Sequence, residues 1–349
     1  MTHFPIDLSS DTQTRPTPGM RRAIADAEVG DEQKREDPSV NRLQEMVAEL
    51  TGKENALFLP TGTMCNLISH AIHCRPGDEI IIEAYCHPAH FEGGGPAVHG
   101  RAMLWKIETE TGVFTPQQVE EAIRPDDPHF PRTRLVCIEN THNLQGGRIW
   151  SVEAVRAVAE CARRHGLLLH LDGARLLNAA VATGTPTEEY CRFFDSCWID
   201  LSKGLGCPIG AVLAGSEDFI AQAWRYKHLF GGAMRQAGII AAAGVYALEN
   251  HVERLAEDHR KAKNLAQGLR EIDGIQVDVD AVETNIVVFD IGGTGFQRAD
   301  LLERLAARGI RFSPLMKATL LRGVTHLDIP DDGIERALDA LREACAAGR

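Results

Sequence analysis

Lys203 stands in WIDLSKGLGCPIG, residues 198–210, after a run rich in apolar residues and before glycines. Most lysines of a globular protein sit on solvated faces, so an ammonium group leaving a half-buried segment raises the question of its use. Thirty-one positions earlier (203 − 172 = 31), LLLHLDGARLLNAAV carries His170, Asp172 and Arg175 at the end of another apolar run. An acid at the carboxyl end of a parallel strand points toward the crevice where α/β folds bind ligands. Lys203 follows a later strand, so both ends can face one crevice. Two readings fit. The residues could form a plain ion pair, or Lys203 could form a Schiff base with pyridoxal phosphate while Asp172 pairs with the pyridinium nitrogen. A phosphate site favours the second, and LFLPTGTMCN offers one: a strand runs into Thr61, Gly62 and Thr63, where a helix opens. Helix N-terminal N–H groups attract an anion, and glycine lets the backbone come close.

These residues need a frame that aims them together. NALFLP, DEIIIEA, RLVCIEN, LLLHLD, DSCWIDLS and GAVLAGS are short apolar runs suited to a buried parallel sheet. Between them lie amphipathic segments such as SVEAVRAVAECARRHG, which starts at a serine cap and stops at Gly166. The stretch from Ala237 to Ile272 reads as one long helical pattern, apolar first and then charged, and the shift near Asn250 marks a lobe boundary. Beyond it come strand-like TNIVVFDI, helix-like RADLLERLAARG, a polar hairpin region and a last helix. The expected class is therefore α/β, with a mostly parallel sheet flanked by helices and a smaller α+β domain after it.

Bulk properties set the limits. The 349 residues suffice for a large core and two lobes, and a net charge of −12 argues against a nucleic-acid or anionic-membrane surface. No run approaches the roughly 20 apolar residues that span a bilayer, and the start lacks the basic-then-apolar layout of a signal peptide. Nine cysteines without a CxxC pair point to reduced thiols and a cytoplasmic protein. Cys86, His87 and His90 in CHPAH suggest metal ligands, but three donors without a fourth leave no metal expected. FDIGGTGFQRADLLERL lacks the third glycine of a dinucleotide fingerprint and falls in the second lobe, so it reads as a loop.

The blocks IDLSSDTQTRPTPGM, EDPSVNRLQE, ALFLPTGTMCN, HFEGGGPA, ENTHNLQGG, LDGARLLNA, LSKGLGCPIG, GGAMRQAG and RGVTHLDI occur in one order from Ile6 to about Ile329. In this the chain resembles the threonine aldolases of the β-eliminating lyase superfamily, within the aspartate-aminotransferase-like (fold type I) enzymes. The resemblance implies an N-terminal arm over 1–35 that contributes to the active site, a large cofactor-binding domain over 36–250 and a small domain over 251–349. It implies that Lys203 holds pyridoxal phosphate covalently, that Asp172 partners the ring nitrogen, and that Gly62 and Thr63 cradle the phosphate. It makes His87 the imidazole stacked on the cofactor ring and His142 a second histidine near the substrate β-hydroxyl. Ser10, Arg175 and Arg322 match residues that hold the substrate carboxylate, which a forked guanidinium suits. Arg175 also counts among the cofactor contacts, and Arg235 matches an arginine that reaches a phosphate across a subunit boundary, which implies a homodimer or homotetramer.

The implied reaction is aldol cleavage of L-threonine, L-allo-threonine and related β-hydroxy-α-amino acids to glycine and an aldehyde. β-Elimination from a 3-substituted amino acid on the same scaffold is the alternative. His87 and His142 are both candidates for the base, directly or through a water. The chain departs from the family at GDEQKREDP, where Lys34 and Arg35 stand in place of a usual Tyr and Gly.

Overall fold

The computed structural model describes residues 4–346. After β1 (Ile6–Asp7) in the arm come seven strands: β2 (Asn55–Leu59), β3 (Glu79–Glu83), β4 (Met103–Ile107), β5 (Thr133–Glu139), β6 (Leu168–Asp172), β7 (Ser196–Asp200) and β8 (Ala211–Gly215). They form one sheet in the order β2-β8-β7-β6-β5-β3-β4. β3, β7 and β8 are buried along their whole length. Helices cover both faces of such a sheet, which is why these strands read as unbroken apolar runs rather than as alternation. The edge strand β4, MLWKI, was not visible as a strand because only Ile107 of it is buried.

One strand departs from the expected direction. β8 runs antiparallel to both β7 and β2. Only residues 201–210 join β7 to β8, and a parallel crossover needs a dozen or more, so the chain turns straight back. β2 is reversed again relative to β8, and β3, β4, β5, β6 and β7 pair in parallel. All strands but β8 therefore run one way.

The long helical pattern is two helices, Gly238–Asn250 and Leu255–Arg270. The first buries Ala241, Ala243 and Ala247 in the core beside the large sheet, and the second buries Ala262, Leu265, Ala266 and Leu269 in a separate core. That second core lies on a three-stranded antiparallel sheet made of β9 (Ile286–Asp290), β11 (Ser313–Pro314) and β12 (Leu320–Val324), while β10 (Ile310–Arg311) pairs with β1. Ile6 and Leu8 are buried in the same core, so the arm is fastened to the C-terminal half of the chain. Among the described residues no helix is long and apolar enough to cross a membrane, and no disulfide forms.

Candidate active site

Because six strands share one direction, their carboxyl ends share one edge of the sheet, and the segments that follow bring the chemistry to it. Thr61, Gly62 and Thr63 follow β2; Glu83 ends β3 and His87 comes next; Glu139 ends β5 before His142; Asp172 ends β6 before Arg175; Asp200 ends β7 before Lys203. The ladder sets Glu139 directly beside Asp172.

Asp172 is buried, and its carboxylate accepts hydrogen bonds from Asn66 Nδ2 (2.8 Å) and the Ala174 backbone N–H (3.1 Å). Among the described residues it makes no ion pair. Burial and then the neighbouring Glu139 charge raise its pKa, against opposing effects of His87 and the Asn66 hydrogen bond. Lys203 does not pair with Asp172. Its Nζ contacts Asp200 Oδ2 and lies 5.6 Å from the Trp198 ring centre, while its carbonyl accepts from the Thr14 hydroxyl at 2.8 Å. Trp198 also explains Gly62, since a Cβ there would meet the indole ring at 2.3 Å. The helix Gly62–His73 thus starts flat against that ring, with Thr61 as its cap accepting from Met64 N–H.

The arginines converge from the other side. Arg175 is buried and holds Asp11 through two hydrogen bonds, Nε–Oδ2 at 2.8 Å and Nη2–Oδ1 at 2.7 Å. Arg322, on β12, donates to Asn143 Oδ1 (2.6 Å) and to the Ser9 carbonyl (2.9 Å), and its buried Nε has no partner. Burial and the like charge of Arg175 lower its pKa to about 10. Of the two guanidinium groups, only that of Arg175 is paired with a carboxylate among the described residues. Ser10 lies next to the Ser9 carbonyl, and its hydroxyl caps the turn Asp11–Gln13 by accepting from Thr12 N–H.

The two histidines differ in access. His87 keeps 34% of its side chain exposed, and its Nδ1 bonds Glu92 Oε1 at 3.0 Å, which leaves Nε2 open. Burial opposes a charge on it, but the Glu92 hydrogen bond and the Asp172, Glu92 and Glu139 charges outweigh that and raise its pKa. His142 is fully buried, with Nε2 2.9 Å from Glu83 Oε2 and Nδ1 unpaired. Its ring lies against Gly112, where a Cβ would come within 2.5 Å. His90 is turned away onto the Ala84 carbonyl at 2.8 Å.

Arg235 is 62% exposed and pairs with Asp31 rather than with any of these groups. Arg35 adopts a left-handed backbone (φ 59°, ψ 31°), which accounts for glycine being usual there. Sequence reading passed over Asp11, Asn66, Glu83 and Asp200. Asp200 had a signal, standing three residues before the lysine at a strand end. Asn66 and Glu83 had none, because their partners lie as much as 132 residues away.

A central sheet with one reversed strand and a second lobe with its own small sheet together make the aspartate-aminotransferase-like fold. The chain superposes on the aspartate aminotransferase of Rhizobium meliloti with a TM-score of 0.70 at 16% identity, covering 98% of this chain and 91% of that one. It superposes on the threonine aldolase of Leishmania major with a TM-score of 0.84 at 20% identity, covering 98% and 100%. Residues 7–291 match the Beta-eliminating lyase family, and the chain belongs to that family. It is 42% identical over 346 residues to low-specificity L-threonine aldolase 1 of Arabidopsis thaliana, covering 97% and 96% of the two chains. To the low specificity L-threonine aldolase of Escherichia coli K12 it is 44% identical over 325 residues, covering 93% and 94%.

Proposed function

We propose that this chain is a pyridoxal-phosphate-dependent lyase that cleaves L-threonine, L-allo-threonine and related β-hydroxy-α-amino acids, phenylserine among them, to glycine and an aldehyde. Similarity to low-specificity L-threonine aldolases along nearly the whole chain supports the activity. The structural observation that carries it is Asp172, a buried carboxylate with no ion pair among the described residues, on the strand next to the one that leads to Lys203. The residues fit the cofactor: Asp172 suits a protonated ring nitrogen, the helix start at Gly62 and Thr63 suits a phosphate, and Lys203 suits the aldehyde carbon. When bound, the cofactor supplies an electron sink for the bond broken at the α-carbon.

The chain's own residues supply the rest. Arg322 and Arg175 take the substrate carboxylate, because Arg322 has no ion-pair partner among the described residues and stands close to the Arg175 charge. Ser10 borders that clamp. Open Nε2 of His87 accepts the β-hydroxyl proton, directly or through a water, and Glu92 on Nδ1 stabilises the resulting imidazolium. His142, the other candidate for contact with the hydroxyl, is fixed by Glu83, and its buried Nδ1 has no partner among the described residues. A clamp of two guanidinium groups on the carboxylate, with the hydroxyl met by His87 either directly or through a water, makes the α-carbon strictly L and the β-carbon loosely read. Both L-threonine epimers are expected to be cleaved and D-threonine left intact. Kinetics on the four stereoisomers tests this, and a preference above about a thousandfold for one L-epimer, roughly 4 kcal/mol, overturns it. Product analysis with L-threonine tests the reaction: glycine is expected, whereas 2-oxobutyrate with ammonia would make the chain a β-eliminating enzyme instead.

We read the working form as a homodimer or homotetramer, with Arg235 completing a neighbour's phosphate site. Exposed Val29, Leu229 and Ile239 close in sequence to Asp31 and Arg235 support this, and an active monomer in light scattering removes Arg235 from that role. A division into arm 1–35, large domain 36–250 and small domain 251–349 belongs to the same reading; the two separate cores support a large and a small domain, with Met20 of the arm in the first and Ile6 and Leu8 in the second. The cysteines, none in a disulfide among the described residues, support a cytoplasmic setting.

A further inference from the structure

Behind Asp172 lies a row of buried polar side chains that no step above uses. Asn66, on the helix Gly62–His73, is fully buried and makes four contacts through its amide. Nδ2 donates to Asp172 Oδ2 (2.8 Å) and to Glu92 Oε1 (2.7 Å). Oδ1 accepts from Trp198 Nε1 (2.8 Å) and lies 3.0 Å from His170 Nε2. An amide has two N–H groups and two lone pairs, so its capacity is filled. An indole N–H can only donate, which fixes the amide oxygen toward Trp198 and the nitrogen toward the two carboxylates. His170 must then carry its proton on Nε2. Its bare Nδ1 accepts from the Ser196 hydroxyl (2.8 Å), and Ser196 Oγ accepts in turn from His73 Nε2 (2.7 Å). From His73 through Ser196, His170 and Asn66, each group donates toward Asp172, and such a row polarises cooperatively.

We propose that Asn66 is a positioning residue that keeps Asp172 ionised toward the ring nitrogen of the bound cofactor, and that His170, Ser196 and His73 hold its amide in that sense. The assignment rests on the pyridoxal phosphate reading above. The charges around Asp172 show why a donor is needed there. Glu139 on the neighbouring strand and Glu92 both favour its protonation, and His87 opposes them. Asn66 stands between the Asp172 and Glu92 carboxylates and serves both, so two like charges are held by one neutral group. The row keeps its direction at neutral pH because its imidazoles stay uncharged. Burial lowers the His73 pKa to about 4 and puts that of His170 well below the usual histidine range. The His70 ring, edge-on to His170 at 5.9 Å, is likewise held neutral by burial.

The test uses the holoenzyme with cofactor labelled with 15N in its ring. In the wild type the ring nitrogen is expected to be protonated at neutral pH. Asn66→Leu keeps the volume but removes both N–H donors, so the proton is expected to move from the ring toward Asp172, shifting the balance at least tenfold. The 15N signal moves from the pyridinium toward the pyridine position. kcat is expected to drop about tenfold or more while substrate KM stays close to wild type, since Asn66 does not touch the substrate. Loss of the cofactor from a variant that melts like the wild type also supports the role. A folded Asn66→Leu with an unchanged pyridinium signal overturns it. A second measurement needs no variant: in wild-type protein with 15N-histidine, His170 is expected as the Nε2–H tautomer, and an Nδ1–H form overturns the proposal. A wild-type chain that takes up no pyridoxal phosphate overturns the cofactor reading itself, a result separate from the other two.

Discussion

At one end of the pocket, Asp172, Glu92 and Glu139 gather three carboxylates around the half-exposed imidazole of His87. At the other, Arg175 pairs with Asp11, and Arg322 beside it makes no ion pair among the described residues. Both ends bury charge that the chain leaves unbalanced, in opposite senses. Buried charges are tolerated when paired, so each excess fits the ligand charge proposed above: a cation against Asp172, an anion beside the arginines. A β-hydroxy-α-amino acid on pyridoxal phosphate carries both, with the ring nitrogen at one end and the α-carboxylate at the other. Lys203 is held by Asp200, and its charge also reaches Asp11.

Substitutions separate the two ends. Lys203→Ala removes the covalent anchor proposed above, and should lower kcat by about 10⁴-fold or more, roughly 5.5 kcal/mol, and abolish the yellow colour of a lysine-bound cofactor. Full activity in that variant would break the comparison at its centre. Arg322→Leu tests the cationic end. KM for L-threonine should rise about 100-fold, nearly 3 kcal/mol, while the cofactor-free protein melts within about 3 °C of wild type, because a buried cation short of a counter-charge adds little to the fold. A fall of ten degrees would make Arg322 a structural residue.

Asp172→Asn is the mirror experiment at the acidic end. The folded pKa of Asp172 is raised above its unfolded value near 3.8. Its ionisation therefore works against folding once the pH climbs past 3.8, and the full cost is felt above the raised pKa. Without cofactor, Asp172→Asn should be more stable than wild type at pH 8, by about 1–3 kcal/mol, with the advantage vanishing at low pH. With cofactor the order should reverse, and urea titrations of both forms at pH 4 and pH 8 read it directly. Outside both ends, Arg35→Gly relieves a left-handed backbone at the expense of the Arg35–Trp224 stacking at 5.7 Å. The strain of about 1 kcal/mol exceeds the exposed cation–π contact of about 0.5 kcal/mol, so a rise in melting temperature of one or two degrees is expected, with kcat unchanged. A change in kcat would tie this departure from the family to the pocket.

Much of the molecule was readable from the chain alone where the cause is local. Apolar runs ending in Asp172 and before Lys203, and the Thr61–Gly62–Thr63 turn into a helix, mark strand ends and a helix start because backbone geometry and burial are written into neighbouring residues. The lobe boundary near Asn250 was visible as a composition shift, though the break that turns one helical pattern into two at 251–254 was not, since both halves keep helical periodicity. Tertiary structure decided the remainder. The direction of β8 follows from how little chain joins it to β7, and that direction is what lets β2 bring Gly62 to the same edge as Lys203. The partners of the chemical groups were decided there too: Asp11 on Arg175 across 164 residues, Asn66 on Asp172 across 106, Glu83 on His142 across 59. Composition names the residues that can carry charge or a proton. Which of them is neutralised, and which is left waiting for a ligand, depends on distances of about 3 Å between segments far apart in sequence, and only the folded chain sets those.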